Sequence, residues 1–149
     1  MLEREDWTDP HCPVARTADL LGDRWSLLIV RDSFDGASRF SEFQRNLGIA
    51  KNILADRLRN LVEHGVLVQR PNAQGTRHEY ELTDSGRDLF TVIVSLRQWG
   101  ERHAFGEGER HSRLIDKTTG EPAPTLLLLN KDGIALGPTN THVRKVAGG

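Results

Sequence analysis

Apolar residues recur at three- and four-residue spacings over the first part of the chain, broken by glycines, and that spacing marks one face of a helix. Pro13 at a first-turn position, with Val14, Ala18 and Leu21 on one side and Gly22 as a stop, predicts a short helix over 13–21. Asp23 is a candidate N-cap for a second helix over 24–35, where Trp25, Leu28, Ile29 and Phe34 fall near helical spacing before Gly36. Ser38 is positioned to cap a third, in which Phe40, Phe43 and Leu47 repeat at i, i+3 and i+7 until Gly48. The clearest amphipathic pattern lies at 51–64: Leu54, Leu58, Leu61 and Val62 form one stripe, and Gly65 supplies the C′ position.

The period then changes. Residues 66–70 alternate weakly and are rich in β-branched side chains, 71–75 carry turn chemistry, and 77–82 alternate around Tyr80 and Leu82, which predicts a β-hairpin with a loose tip. Thr83-Asp-Ser-Gly opens a long helix expected to reach His103, apolar on nearly every side from Leu89 to Leu96 and again at Trp99. A helix apolar around its circumference needs two packing partners, and in a chain this small the second is most simply another subunit. Gly106-Glu-Gly-Glu reads as a linker. Beyond it Leu114-Ile-Asp, Pro124-Thr-Leu-Leu-Leu-Leu, a turn at Asn130-Lys-Asp-Gly133 and His142-Val-Arg-Lys-Val146 predict a small antiparallel β appendage ending in a frayed Ala-Gly-Gly. The expected architecture is therefore mainly α with a small β component, a first domain over 1–104 and the appendage over 105–149. No internal repeat is visible.

Composition bounds the function classes. The 149 residues, 37% hydrophobic and 28% charged, suit an ordered domain with a real core. The apolar runs are far shorter than the roughly 20 residues that cross a bilayer, and the acidic Met-Leu-Glu-Arg-Glu-Asp-Trp start has no apolar signal core. The expectation is a cytoplasmic protein, consistent with a single cysteine, Cys12, that has no partner for an internal disulfide. No phosphate loop, nucleophile elbow, metal-ligand spacing or His/Asp/Glu cluster around a Ser or Cys is present, so an enzyme is not expected.

Net charge is −1, but it is unevenly spread: residues 39–78 carry 7 Lys/Arg against 3 Asp/Glu, whereas 1–35 carry 4 against 8. Short helices, a two-stranded hairpin and a further helix follow the winged helix-turn-helix order, in which the last helix before the hairpin enters the major groove of duplex DNA. On 51–64, helical geometry sets Asn52, Asp56, Arg59 and Glu63 opposite the leucine stripe, with Lys51 and Ala55 on the flank. Asn52 and Arg59 have the donors for adenine and guanine edges, and Ala55 permits close approach or a thymine-methyl contact. Asp56 either accepts from cytosine N4 or orients an arginine. The hairpin adds Arg70, Asn72, Gln74, Arg77 and His78 for phosphate or minor-groove contact, and Arg39, Arg45 and Arg24 are further phosphate candidates. An amphipathic helix alone would read as an ordinary solvated surface; the hairpin and the basic island are what favour DNA. The rival reading is a winged-helix module that binds only protein, which would call for an apolar or acidic face at 52–59.

Cys12-Pro-Val-Ala-Arg16, Leu21-Gly-Asp-Arg-Trp25, Leu28-Ile-Val-Arg-Asp, Arg39-Phe-Ser-Glu-Phe, Ile49-Ala-Lys-Asn, Leu54-Ala-Asp-Arg-Leu58, His64-Gly-Val-Leu and Tyr80-Glu-Leu-Thr83 occur in order. With this set, over roughly 10–103, the chain resembles the HxlR family of transcriptional regulators. The resemblance implies a homodimer joined through its terminal helices, a recognition helix at 51–64, a wing at 66–82 and, as a family base rate, a repressor. Ala50 departs from the Ser often found at the helix start, which removes a capping contact. Some members sense oxidants or electrophiles through a cysteine at the place of Cys12. Here it precedes a helix N-terminus that favours thiolate, and the competing reading is a small packing residue. Relatives with a zinc ribbon end it in Cys-x-x-Cys-Gly; Leu129 and Asp132 before Gly133 stand in that place, so no metal and no cofactor are expected, and His103 and His111 are read as surface residues. The 126–129 leucine run reads as a buried strand or, alternatively, one wall of a small effector pocket.

Overall fold

The computed structural model describes residues 6–147. Four helices come first: α1 (Pro13–Leu21), α2 (Arg24–Phe34), α3 (Phe40–Leu47) and α4 (Lys51–Glu63). Each start has an identifiable cap or lacks one for a reason. The Cys12 Sγ accepts from the Ala15 N–H at 3.4 Å, and an Asp23 carboxylate oxygen accepts from the Ser26 N–H at 3.0 Å. At α3 the expected Ser38 cap is replaced: Arg39 holds the cap position, and the Glu42 carboxylate folds back to accept from the N–H groups of Arg39 (3.0 Å) and Ser38 (3.3 Å). A carboxylate one turn inside the helix satisfies two orphan donors where a hydroxyl would satisfy one. Ala50 caps α4 with no side-chain bond. Left-handed glycines close two of these helices' turns, Gly48 at φ 62° and Gly65 at φ 75°.

The hairpin consists of β1 (Leu67–Pro71) and β2 (His78–Leu82), antiparallel, with Leu67 opposite Leu82 and Pro71 opposite His78. Tyr80 donates its N–H to the Ser38 carbonyl at 2.7 Å and meets Phe43 edge-on, so the hairpin is tied to the α2–α3 connection as well as to the core. The core is the leucine stripe of α4 (Leu54, Leu58, Leu61) packed with Ile29 and Val30 of α2, Phe43 of α3 and Val66 and Leu67 at the hairpin root, all buried.

The long helix expected over 83–103 is two helices. Thr83 caps α5 (Asp84–Arg87), the Leu89 N–H bonds the Gly86 carbonyl three residues back instead of continuing the four-residue ladder, and α6 (Phe90–His103) begins after the break. Two causes meet at Gly86: glycine itself propagates helix poorly, and this one is buried against the hairpin root, so close to the Val66 carbonyl that no Cβ fits there.

The chain divides into two compact units, the second beginning at Thr91. Within the second, antiparallel pairing is confined to two isolated bridges, Ile115 with Pro122 and Leu129 with Ala135, and 142–146 forms no strand. Sheet formation is frustrated by the backbone: Pro122, Pro124 and Pro138 lack N–H donors, and the Pro124 carbonyl and Leu126 N–H are taken by the Gln98 side chain (2.9 and 2.8 Å). The 126–129 run is correspondingly exposed, Leu128 to 66%, and does not form the expected buried strand. Of the frayed end expected at Ala-Gly-Gly, Gly148 and Gly149 lie outside the described residues. Among the described residues, no helix is long and apolar enough to cross a membrane, and no His/Cys/Asp/Glu group could hold a metal ion.

Candidate nucleic-acid interface

With Leu54, Leu58 and Leu61 fully buried, α4 turns Lys51, Asn52, Ala55 and Arg59 outward together, and all four are exposed. One side of the helix is bolted to the core, leaving the other a rigid polar strip. Asp56 is half-buried at its edge and is already engaged: it accepts from Arg59 Nη2 at 2.6 Å and from Arg57 Nη1 at 2.6 Å. Asp56 is thus paired with two arginines.

The network continues inward. Arg57 Nε donates to the Asp23 carboxylate at 3.0 Å, the same carboxylate that caps α2. Burial acts to raise the Asp23 pKa, but hydrogen bonding from Ser26 and the Arg57 guanidinium outweigh it and hold the carboxyl below its usual range. Arg57 is raised in turn, chiefly by its bond to Asp23. The chain Asp23, Arg57, Asp56, Arg59 thus ties the start of α2 to the exposed face of α4. Sequence reasoning missed Asp23 and Arg57 here, and no local signal could have paired residues 34 apart.

At the hairpin, Asn72 builds the tip: its N–H donates to the Arg77 carbonyl at 2.7 Å, its carbonyl accepts from the Gly75 N–H at 2.9 Å, and its side-chain oxygen accepts from the Thr76 N–H at 3.0 Å. Gly75 supplies the left-handed φ of 69° that closes the turn. Gln74, Arg77 and His78 are exposed on or beside it. Arg70 and Arg39 are exposed too, but each faces a carboxylate of β2: Arg70 meets Glu81 at 3.1 Å and Arg39 meets Glu79 at 3.7 Å. Strand alternation puts Glu79 and Glu81 on one face of β2, so this neutralisation was legible in principle and was overlooked. Arg24 lies over the Trp25 ring at 4.1 Å, and Arg45 is exposed on α3. Cys12 is half-buried at the start of α1 as a free thiol, on a different element from the exposed strip of α4.

On α6, Val92, Leu96 and Trp99 recur at i, i+4 and i+7 and are all exposed, Trp99 to 61%, while Val94 and Gln98 are buried.

Comparison with known proteins places these features in a family. The profile of the HxlR-like helix-turn-helix family matches residues 20–107. The HTH-type transcriptional regulator Rv3095 of Mycobacterium tuberculosis is 43% identical over 121 residues, covering 80% of this chain and 77% of the relative. The crystal structure of PA1607, a proposed transcription factor, is 54% identical with a TM-score of 0.86, covering 89% of this chain and 94% of that one. The redox regulator HypR in its oxidised form is 33% identical with a TM-score of 0.57, covering 62% of this chain and 97% of HypR.

Proposed function

Because the chain belongs to the HxlR-like helix-turn-helix family, whose members matched here are transcriptional regulators rather than enzymes, we propose that it binds operator DNA sequence-specifically as a homodimer and acts as a repressor. The observation that carries this reading is the exposed Lys51, Asn52, Ala55 and Arg59 strip of α4, backed by a buried leucine stripe and flanked by the hairpin. In it α4 lies in the major groove, Asn52 and Arg59 meet adenine and guanine edges, and Ala55 lets the helix approach. Asp56 holds Arg59 in position. Arg77, Gln74 and His78 at the wing, with Arg39, Arg70 and Lys51, contact phosphates or the minor groove. The exposed Val92, Leu96 and Trp99 stripe supports dimerisation, which sets two reading helices against a twofold-symmetric site.

Cys12 is the position at which the regulator responds to an oxidant or electrophile. Support comes from its place as a half-buried free thiol at the start of α1, its Sγ accepting from the Ala15 N–H at 3.4 Å, and from the likeness to the redox regulator HypR. With one cysteine in the chain, a disulfide forms only with a second copy or an external thiol. Replacement by serine abolishes the response of DNA binding to oxidant; an equal response in the variant removes Cys12 from this role.

Footprinting of the purified protein on genomic DNA, repeated across a salt series, tests the whole reading. Neutralised phosphates release counterions, so affinity falls steeply as ionic strength rises. Binding that is weak and indifferent to salt would hand the surface to a protein partner instead.

A further inference from the structure

The second compact unit contains a half-open cleft of about 300 Å³ whose residues the DNA-binding reading does not use. It is lined by Arg97, Gln98 and Glu101 of α6, by His111, Arg113 and Leu114, and by Pro122 and Ala123. The walls are held in place. The buried Gln98 amide clamps the 124–126 backbone through both of its polar atoms, and the Ala123 N–H donates to the Leu114 carbonyl at 2.8 Å beside the Ile115–Pro122 bridge. Arg97 Nη1 is fixed on the Ser112 carbonyl and hydroxyl at 3.0 Å each, which leaves its remaining N–H groups available.

The charge inventory has a clear sign. Glu101 is the one acid on the lining, and it stands 3.7 Å from His111 Nδ1. Against it are two guanidiniums, and that of Arg113 has no intramolecular partner among the described residues. A preformed recess with surplus arginine and an apolar floor of Leu114, Pro122 and Ala123 suits an anion with a hydrocarbon body. Its volume, at the bottom of the range for ligand sites, suits a small guest. We propose that this cleft binds a small organic carboxylate, its two oxygens received by Arg113 and Arg97 and its apolar part resting on Leu114 and Pro122. None of its lining residues belongs to α4 or the hairpin.

Benzoate is the probe, with benzamide as the neutral molecule of the same shape and inorganic phosphate as the anion without an apolar body. Calorimetric titration of the full-length protein is expected to give saturable benzoate binding, with benzamide and phosphate each at least about tenfold weaker, since hydrogen bonds to a charged group are worth about that factor or more. Arg113→Ala weakens benzoate by about tenfold or more, and Ala123→Phe, which fills the recess, abolishes it. Unchanged thermal unfolding midpoints and circular dichroism show that both variants are folded. Equal binding of benzoate and benzamide, phosphate binding in preference to benzoate, or undiminished benzoate binding by folded Arg113→Ala protein each overturns the assignment.

Discussion

Replacing Arg59 and Arg77 separately by alanine separates base reading from phosphate grip. Arg59 is 64% exposed and its one partner among the described residues is Asp56, itself half-exposed. An exposed pair of this kind contributes about 0.2–1 kcal/mol to folding, so the Arg59→Ala protein remains folded and any loss of binding belongs to the interface. If Arg59 donates bidentately to a guanine, losing it removes about 1–3 kcal/mol of discrimination, or about 5- to 150-fold between operator and scrambled duplex. Arg77 at the wing tip is expected to behave differently. Arg77→Ala lowers affinity for operator and scrambled duplex by the same factor and flattens the dependence of log affinity on log salt by about 0.9 per protomer, about 1.8 for the dimer. Fluorescence anisotropy with both duplexes, from about 50 to about 200 mM salt, reads both quantities at once. Equal loss on every sequence from both variants would mean that the exposed strip of α4 does not read bases.

Other expectations follow from the same contacts. Leu58→Ala, at a fully buried position of the α4 stripe, is expected to lower unfolding free energy by about 2–5 kcal/mol in urea titrations; under 1 kcal/mol would show that α4 is not braced as described. Gly86→Ala forces a Cβ against the Val66 carbonyl, so a drop in thermal midpoint is expected, and an unchanged midpoint would locate the α5–α6 break elsewhere. Asp23 and Glu42 both have carboxyl pKa values below the ordinary range, Asp23 because bonds from Ser26 and Arg57 overcome its burial and Glu42 because the Arg39 and Ser38 N–H groups donate to it. Groups lowered on folding stabilise above their unfolded pKa, about 4, and lose that contribution as pH falls through the lower folded values. Asp23→Asn with Glu42→Gln should therefore flatten the acid limb of stability below about pH 5; an unaltered limb in urea melts refutes it. Trp99→Glu with Leu96→Glu should shift sedimentation from dimer to monomer, and an undisturbed dimer would exonerate the α6 stripe.

Much of the first unit was legible because its determinants are local. Asp23 as a cap, Gly48 and Gly65 as stops, and the Leu54, Leu58, Leu61 stripe act within one or two turns, and the elements they delimit sit where the pattern puts them; Thr83 caps as expected, but a shorter helix. The departures share a different origin. The 83–103 helix breaks because Gly86 meets the hairpin root, a contact across 20 residues, and the appendage strands fail because Gln98 takes backbone groups that pairing would need. At the candidate interface the exposed positions followed from helical geometry alone. Their electrostatic state did not, since Arg57 finds Asp23 only once α2 and α4 have packed.

The two carboxylates of β2 bear on how such a regulator would search a genome. With Arg39 and Arg70 already facing Glu79 and Glu81, a phosphate arriving at the hairpin must displace an existing partner and meets a like charge behind it. Adhesion to arbitrary duplex is weakened more than adhesion at a site where α4 also engages the bases. On the proposed reading, dwell times on irrelevant sequence would be short and hopping frequent, so that target finding would be quick although the chain as a whole carries no excess of positive charge.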